Sequence, residues 1–333
     1  MIWFFTRNFI TGTLTGLTCS TEGTDLSLIA NRATGGTRGA DDTALWPRIS
    51  VVTAVFNGEI HLEETIRSVL YQEYPNLEYI IIDDGSTDST PDIIRKYEQH
   101  LAWWTSQPNL GMYASLNTGF AKSSGEILGW LNDSDKLHSG ALSVVGSAFR
   151  DLPQVEWITG RPTGFNEEGM TTLVLDLPHW SRSRFLAGAN RYIQQESTFW
   201  RRSLWDRAGG HLDASGRCGH VADFELWVRF FRHAQLYPID TLIGGFRADS
   251  KSRTLKDLET YHRLQAEIIA ADLAATPGLH SVKLFRRLNQ FAQSVPKLRV
   301  LWNRTIMHAL YRLPGPDWAP VIRFQHDKWK IWR

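Results

Sequence analysis

From Arg48 onward, apolar and polar positions alternate between two rhythms. Ile49-Ser50-Val51-Val52-Thr53-Ala54-Val55 is a β-branched run of strand length, and Glu59 to Gln72 then carries Leu62, Ile66, Val69 and Leu70 at helical spacing. Leu77 to Ile82 repeats the strand signal and ends in Asp83-Asp84-Gly85-Ser86. Ser89-Thr90-Pro91-Asp92 opens a helix, with a hydroxyl cap and proline in the first turn. The pattern predicts a third strand near 101–104, a helix over 113–121 and a fourth strand over 126–131. Strand and helix recur at about 25 to 30 residues per unit, which predicts βαβ crossovers and a mostly parallel sheet.

Such sheets bind ligands where their strands end. Three predicted strand ends carry polar groups: Asn57, Asp83-Asp84 and Asp133-Ser134-Asp135. Beyond Ala141 the pattern loosens. Strands are expected over 155–159 and 171–177, helices over 201–208 and 223–233, one or two returning strands over 236–246, and a helical region from about 254 through 275.

The chain has 333 residues, of which 42% are apolar, enough for one large or two modest domains. No run reaches the ~18 consecutive apolar residues of a membrane span. Cys19 and Cys218 cannot build a disulfide framework or a zinc site, which suits a reducing compartment. The opening MIWFFTRNFITGTLTGLTCS is interrupted by Arg7 and Asn8 and reads against a cleaved signal. Residues 1–47 are expected to be a poorly ordered extension, and the glycine run 35–39 within them lacks the strand and helix of a phosphate loop.

Charge is unevenly placed. From Ser281 to Arg333 there are 11 Lys and Arg against Asp317 and Asp327, leaving 25 cations and 33 carboxylates in the rest. The stretch KLFRRLNQFAQSVPKLRVLWNRTIMHALYRL interleaves apolar and basic residues at near-helical spacing. It suits either the surface of an anionic bilayer or a helical cap on the body. Nothing resembles a base-reading module, so nucleic acid is not an expected partner.

The strand-end carboxylates concentrate negative charge that a divalent cation would relieve. Magnesium or manganese takes oxygen donors and commonly only one or two protein carboxylates, completed by water and phosphate. Asp133 and Asp135 lie two apart and would share a face in an extended chain. The same residues also suit turns and helix caps, so the pair alone decides nothing.

The segments VVTAVFNGE, YIIIDDGSTDST, NLGMYASLNTGFAKSSGEILGWLNDSD, IQQESTFWRRSLWDRAGG and ADFELWVRF occur in the order and near the spacing of family 2 glycosyltransferases. The resemblance spans roughly Arg48 to Ser252. It implies a GT-A fold, Rossmann-like, with a mostly parallel central sheet and flanking helices, to which the residue pattern beyond it adds a helical basic C-terminal tail. The expected division is a nucleotide-binding half over 48–137, an acceptor half over 138–253, and a helical, basic, membrane-associating region over 254–333. It further implies inverting transfer of a sugar from a nucleotide-diphosphate donor to a glycan or lipid-linked acceptor, with Mn2+ or Mg2+, on the cytoplasmic side.

Residue by residue, the resemblance puts Ala54, Phe56 and Asn57 against the nucleoside. Asp84 accepts the base N–H, and Asp83 supports the turn. Asp135 is the principal metal ligand and Asp133 its partner, although relatives often read Asn-Ser-Asp-Asp where this chain reads Asn-Asp-Ser-Asp. Asp223 corresponds to the catalytic base, with Glu225 as the fallback, and Gln195 and Glu196 lie on the acceptor side. Asp249 stands where relatives frequently have His and could ligate the cation. Arg247, Lys251 and Arg253 are candidates to meet the diphosphate. Trp180 and Trp205 are candidates to stack on an acceptor sugar, with core packing favoured. A nucleotidyltransferase would need a glycine-rich loop after the first strand, which VVTAVFNGE lacks. The remaining alternative is a catalytically degenerate glycan- or nucleotide-binding protein of the same fold.

Overall fold

The computed structural model describes residues 46–332 apart from 109, 189–191, 217–220, 249–257 and 308–317. At its centre lies a seven-stranded sheet ordered β10-β6-β9-β4-β1-β2-β3. Its strands are β1 (Ile49–Val55), β2 (Leu77–Asp83), β3 (Trp103–Ser106), β4 (Ile127–Trp130), β6 (Trp157–Thr159), β9 (Thr198–Arg201) and β10 (Leu236–Pro238). β1 pairs in parallel with both β2 and β4, and β9 alone runs antiparallel, between β4 and β6. The predicted α/β sheet is therefore present.

All seven residues of β1 are buried, as expected of a central parallel strand covered on both faces. Side chains alternate between those faces. Val52, Ala54, Ile80, Ile82 and Trp130 join a core with the helix Met112–Lys122, whereas Val51, Val55, Ile81 and Leu131 join another with the helices Leu62–Leu70 and Ala141–Asp151.

A second, four-stranded sheet is ordered β5-β11-β7-β8. It comprises β5 (Lys136–Leu137), β7 (Thr163–Phe165), β8 (Thr171–Val174) and β11 (Gly244–Arg247). β11 is one of the two returning strands expected over 236–246, and it crosses close to the acceptor-side segment. A Cβ on Gly244 would lie 2.0 Å from the Glu196 carbonyl oxygen, which is backbone and cannot swing aside. Gly244→Ala is expected to lower stability by about 3 kcal/mol, read from the urea midpoint at unchanged m-value.

Helices Leu258–Ala275, His280–Ser294 and Pro296–Trp302 follow. The first is tied to the body by Asp272, whose buried carboxylate meets Arg182 at 3.2 Å and Arg232 at 2.6 Å. The helical expectation fails for the final stretch. Val321–Gln325 (β12) and Lys328–Trp332 (β13) form an antiparallel hairpin. Its two-residue turn, His326-Asp327, has positive φ at both positions, the geometry of a type I′ turn. Trp329 anchors the hairpin, its indole N–H donating to Ser147 Oγ at 2.8 Å. Alternation of Trp329 with Lys328 and Lys330 carries the strand period, which the basic composition obscured.

Trp46, near the end of the expected N-terminal extension, packs edge-on against Tyr74 at 5.6 Å. The rest of that extension, including the glycine run 35–39, lies outside the described residues.

Candidate active site

The parallel register brings the ends of β1, β2 and β4 to one edge of the sheet, with Val55 opposite Asp83 and Val52 opposite Trp130. There a cavity of about 660 Å³ opens. Its lining includes Phe56 and Asn57 after β1, Asp133 and Asp135 after β4, Gln195 and Glu196, Asp223, and Arg247.

The loop 132–135 is held from three sides. Thr65 Oγ1 lies 2.9 Å from the Asp133 carbonyl and 2.8 Å from that of Asp135. Asn132 Nδ2 donates to Asp135 Oδ2 at 2.9 Å, and the backbone N–H of Arg247 donates to Asp135 Oδ1 at 2.9 Å. Burial nevertheless pushes the Asp135 carboxyl up to about 7, aided by the neighbouring Asp133 charge and opposed by those two hydrogen bonds. Glu196, also buried, is raised well above the usual carboxylate range by burial and by Asp135.

Arg247 does not serve the role expected of it. Its Nε donates to Ser134 O at 2.7 Å, Nη1 to Asn166 O at 3.1 Å and Glu167 O at 2.7 Å, and Nη2 to Glu64 Oε2 at 2.5 Å. The side chain is fully buried. A guanidinium spent in this way fastens the 132–135 loop to the 166–169 turn and has little left for a phosphate. Lys251, Arg253 and Asp249 lie outside the described residues.

Asp223 opens the helix Ala222–Phe230. Trp227, one turn on, stacks on Trp130 at 5.8 Å with ring planes 5° apart. Trp130 ends β4, so this stack sets the start of the helix against the 132–135 loop. Asp223 Oδ1 is enclosed and has no hydrogen-bond partner, and burial raises the carboxyl to about 6 against the pull of the Phe224 and Asp223 N–H groups. Glu225 is occupied elsewhere, forming an ion pair with Arg229 at 2.7 Å, which removes it as a fallback.

Other predicted residues organise the rim. Asp83 accepts from Ser86 N at 3.1 Å and from Ser106 Oγ at 2.5 Å, holding the turn after β2. Asp84 lies outside the cavity lining; its carboxylate accepts the backbone N–H groups of Leu110 at 2.6 Å and Gly111 at 2.9 Å. It thereby sets the start of the 112–122 helix, whose Met112 and Tyr113 do line the cavity. Ala54 is buried in the core beneath rather than in the lining. Asn57 takes the left-handed conformation, φ 51°, and its Oδ1 accepts from Thr87 N at 2.9 Å. Gln195 Nε2 donates to Trp130 O at 2.5 Å, and Gln194 Nε2 to Glu196 Oε1 at 2.6 Å. Trp180 and Trp205 are buried in the core, with no face for a sugar.

The sequence reading missed Glu167 and Glu168, which reach the cavity from the β7–β8 turn. Asn166 and Gly169, which bracket them, are turn-forming types and were the available signal.

The donor set suits a hard divalent cation. Asp133 and Asp135 offer carboxylate oxygens, and no group of three or more His, Cys, Asp or Glu among the described residues is arranged to hold a metal alone. A cation there would need water and substrate oxygens to complete its shell, as magnesium and manganese commonly do. Arg247 is the only Lys or Arg among the described lining residues.

Residues 50–207 match the family model described as "Glycosyl transferase family 2". A glycosyltransferase of Mycobacterium tuberculosis, itself uncharacterized, is 35% identical over 196 residues, covering 55% of this chain and 68% of that protein. The GalNAc(5)-diNAcBac-PP-undecaprenol beta-1,3-glucosyltransferase of Campylobacter jejuni is 34% identical over 103 residues, 30% of this chain and 33% of that one. The crystal structure of S. aureus TarS 1-349 in complex with UDP-GlcNAc superposes with TM-score 0.53 at 16% identity, covering 79% of this chain and 86% of that one, a likeness of fold. With the sheet order, the strand-end carboxylates and these matches together, the chain belongs to the family 2 glycosyltransferases.

Proposed function

We propose that the chain transfers a sugar from a nucleotide-diphosphate sugar to an acceptor hydroxyl with inversion at the anomeric carbon. The observation that carries this reading is that Asp135 and Asp223, 88 positions apart in the sequence, line one cavity at the carboxyl edge of the sheet. Asp133 and Asp135 would hold Mn2+ or Mg2+. When bound, the cation supplies positive charge against the departing diphosphate.

The chain's own groups do the remainder. The Asp223 carboxylate, which lines the cavity, takes the proton of the acceptor hydroxyl. The hydroxyl oxygen bonds to the anomeric carbon as the bond to the diphosphate oxygen breaks, so a single displacement inverts the centre without an enzyme nucleophile. Phe56 and Asn57 face the nucleoside, with Ala54, Asp83 and Asp84 shaping its seat. Asp84 keeps unused lone pairs for the base N–H. Gln195 and Glu196 face the acceptor. A lipid-linked or envelope glycan, approached from the cytoplasmic side, is the acceptor class. The Campylobacter relative, whose name specifies an undecaprenol-linked substrate, supports that class.

The test is a thermal-shift panel of nucleotide sugars with and without Mn2+, followed by transfer assays. One donor is expected to raise Tm by several degrees only with metal present, and to be consumed on addition of acceptor. Binding without hydrolysis or transfer under any metal would instead mark a degenerate binding protein.

A further inference from the structure

The helix His280–Ser294 has two apolar faces rather than one. Val282 and Ala292 are buried, and Phe285 packs against the core beside them. On the outer side Leu284, Leu288 and Phe291 recur at i, i+4 and i+7, a single stripe, and they are 58%, 48% and 63% exposed; Val295, in the extended link to the next helix, is 38% exposed. Beyond that link, the helix Pro296–Trp302 and the turn after it, held against the first helix by Trp302 Nε1 donating to Asn289 Oδ1 at 2.9 Å, carry Val300, Leu301 and Ile306, which are 52%, 60% and 41% exposed. Isolated exposed apolar residues are ordinary, but a continuous stripe is not.

The charges beside the stripe are all of one sign. Arg287, Lys297, Arg299 and Arg304 are exposed, and no Asp or Glu occurs from Ser281 to Met307. A core-facing role does not explain this, because the inner face is already supplied by other residues. Arg286 belongs to that inner side, donating to Leu186 O at 2.9 Å. A partner for the outer face must offer apolar depth and dense negative charge together. No described helix is long and apolar enough to cross a membrane.

We propose that residues 280–307 form a monotopic docking surface for an anionic lipid bilayer. The helix lies in the plane of the interface, its stripe among the acyl chains and its cations at the headgroups. This goes beyond the donor and acceptor reading and does not rest on it, since the measurement is of binding and not of transfer.

The test is flotation of the full chain with vesicles of phosphatidylcholine alone or containing 30% phosphatidylglycerol. Binding is expected to be at least roughly tenfold stronger to the anionic vesicles and to weaken sharply at 0.5 M NaCl. The double variant L288E/F291E, with an unchanged melting temperature, is expected to lose that binding at least tenfold. A second variant, R287Q/R299Q, keeps the stripe and should lose only the preference for anionic vesicles. Equal binding by wild type and L288E/F291E, or no binding to anionic vesicles, overturns the proposal. Self-association abolished by L288E/F291E, without vesicle binding, overturns it too and assigns the stripe to a second copy of the chain.

Discussion

Asp223→Asn is expected to reduce kcat by roughly 10³-fold while leaving the fold intact. The variant removes a proton acceptor and little else, because the Asn amide keeps an oxygen for the Phe224 and Asp223 N–H groups. The pH profile gives the more specific check. Burial raises Asp223 from an ordinary 3.8 to about 6, so the proton-accepting form is lost as pH falls through 6. With saturating cation to hold Asp135 ionised, wild-type kcat should therefore be level above about pH 7 and fall tenfold per unit well below 6. Asp223→Asn should lack that limb.

The stability effect runs the other way. A carboxyl whose value is raised in the fold stabilises most when protonated, below its unfolded value, and that contribution disappears as pH rises through the folded one. At pH 8 the Asn variant should be at least as stable as wild type. A wild-type rate unchanged between pH 7 and 5 would remove Asp223 from the role of base.

Asp135→Asn is expected to lower transfer by about 10³-fold or more, equivalent to about 4 kcal/mol in the barrier. Asn keeps an oxygen for the Arg247 N–H, and a flip of the Asn132 amide turns its Oδ1 to accept from the new NH2, so the 132–135 loop should survive and Tm should stay within a few degrees. What should vanish is the increase in Tm on adding Mn2+ with donor. Loss of rate with the metal-dependent shift retained would mean that Asp135 shapes the loop without holding the ion. Retained rate would remove it from the chemistry altogether.

Local pattern was enough for the nucleotide-side half of the molecule. Ile49–Val55 and Leu77–Asp83 are short, β-branched and buried on both faces, so their apolar runs read directly as strands. The helices that follow them, Leu62–Leu70 and Thr90–Tyr97, show an apolar stripe because one face meets the sheet and the other meets water. Asp133 and Asp135 stood out locally as a carboxylate pair at a strand end, whereas Asp223 was singled out by the resemblance to family 2 glycosyltransferases.

Tertiary structure decided what those residues do. Thr198–Arg201 enters the sheet antiparallel between two parallel strands, a placement that no local period encodes. Arg247 was a candidate phosphate ligand by its charge, yet its neighbours from residues 64, 134, 166 and 167 take four of its five N–H donors. Glu225 and Asp223 differ in role because Arg229 reaches one and a buried wall encloses the other. Sequence determines which groups a segment carries and the rhythm in which it presents them. Chain closure determines which hydrogen bonds those groups spend on the protein itself, and only the unspent ones remain for a substrate.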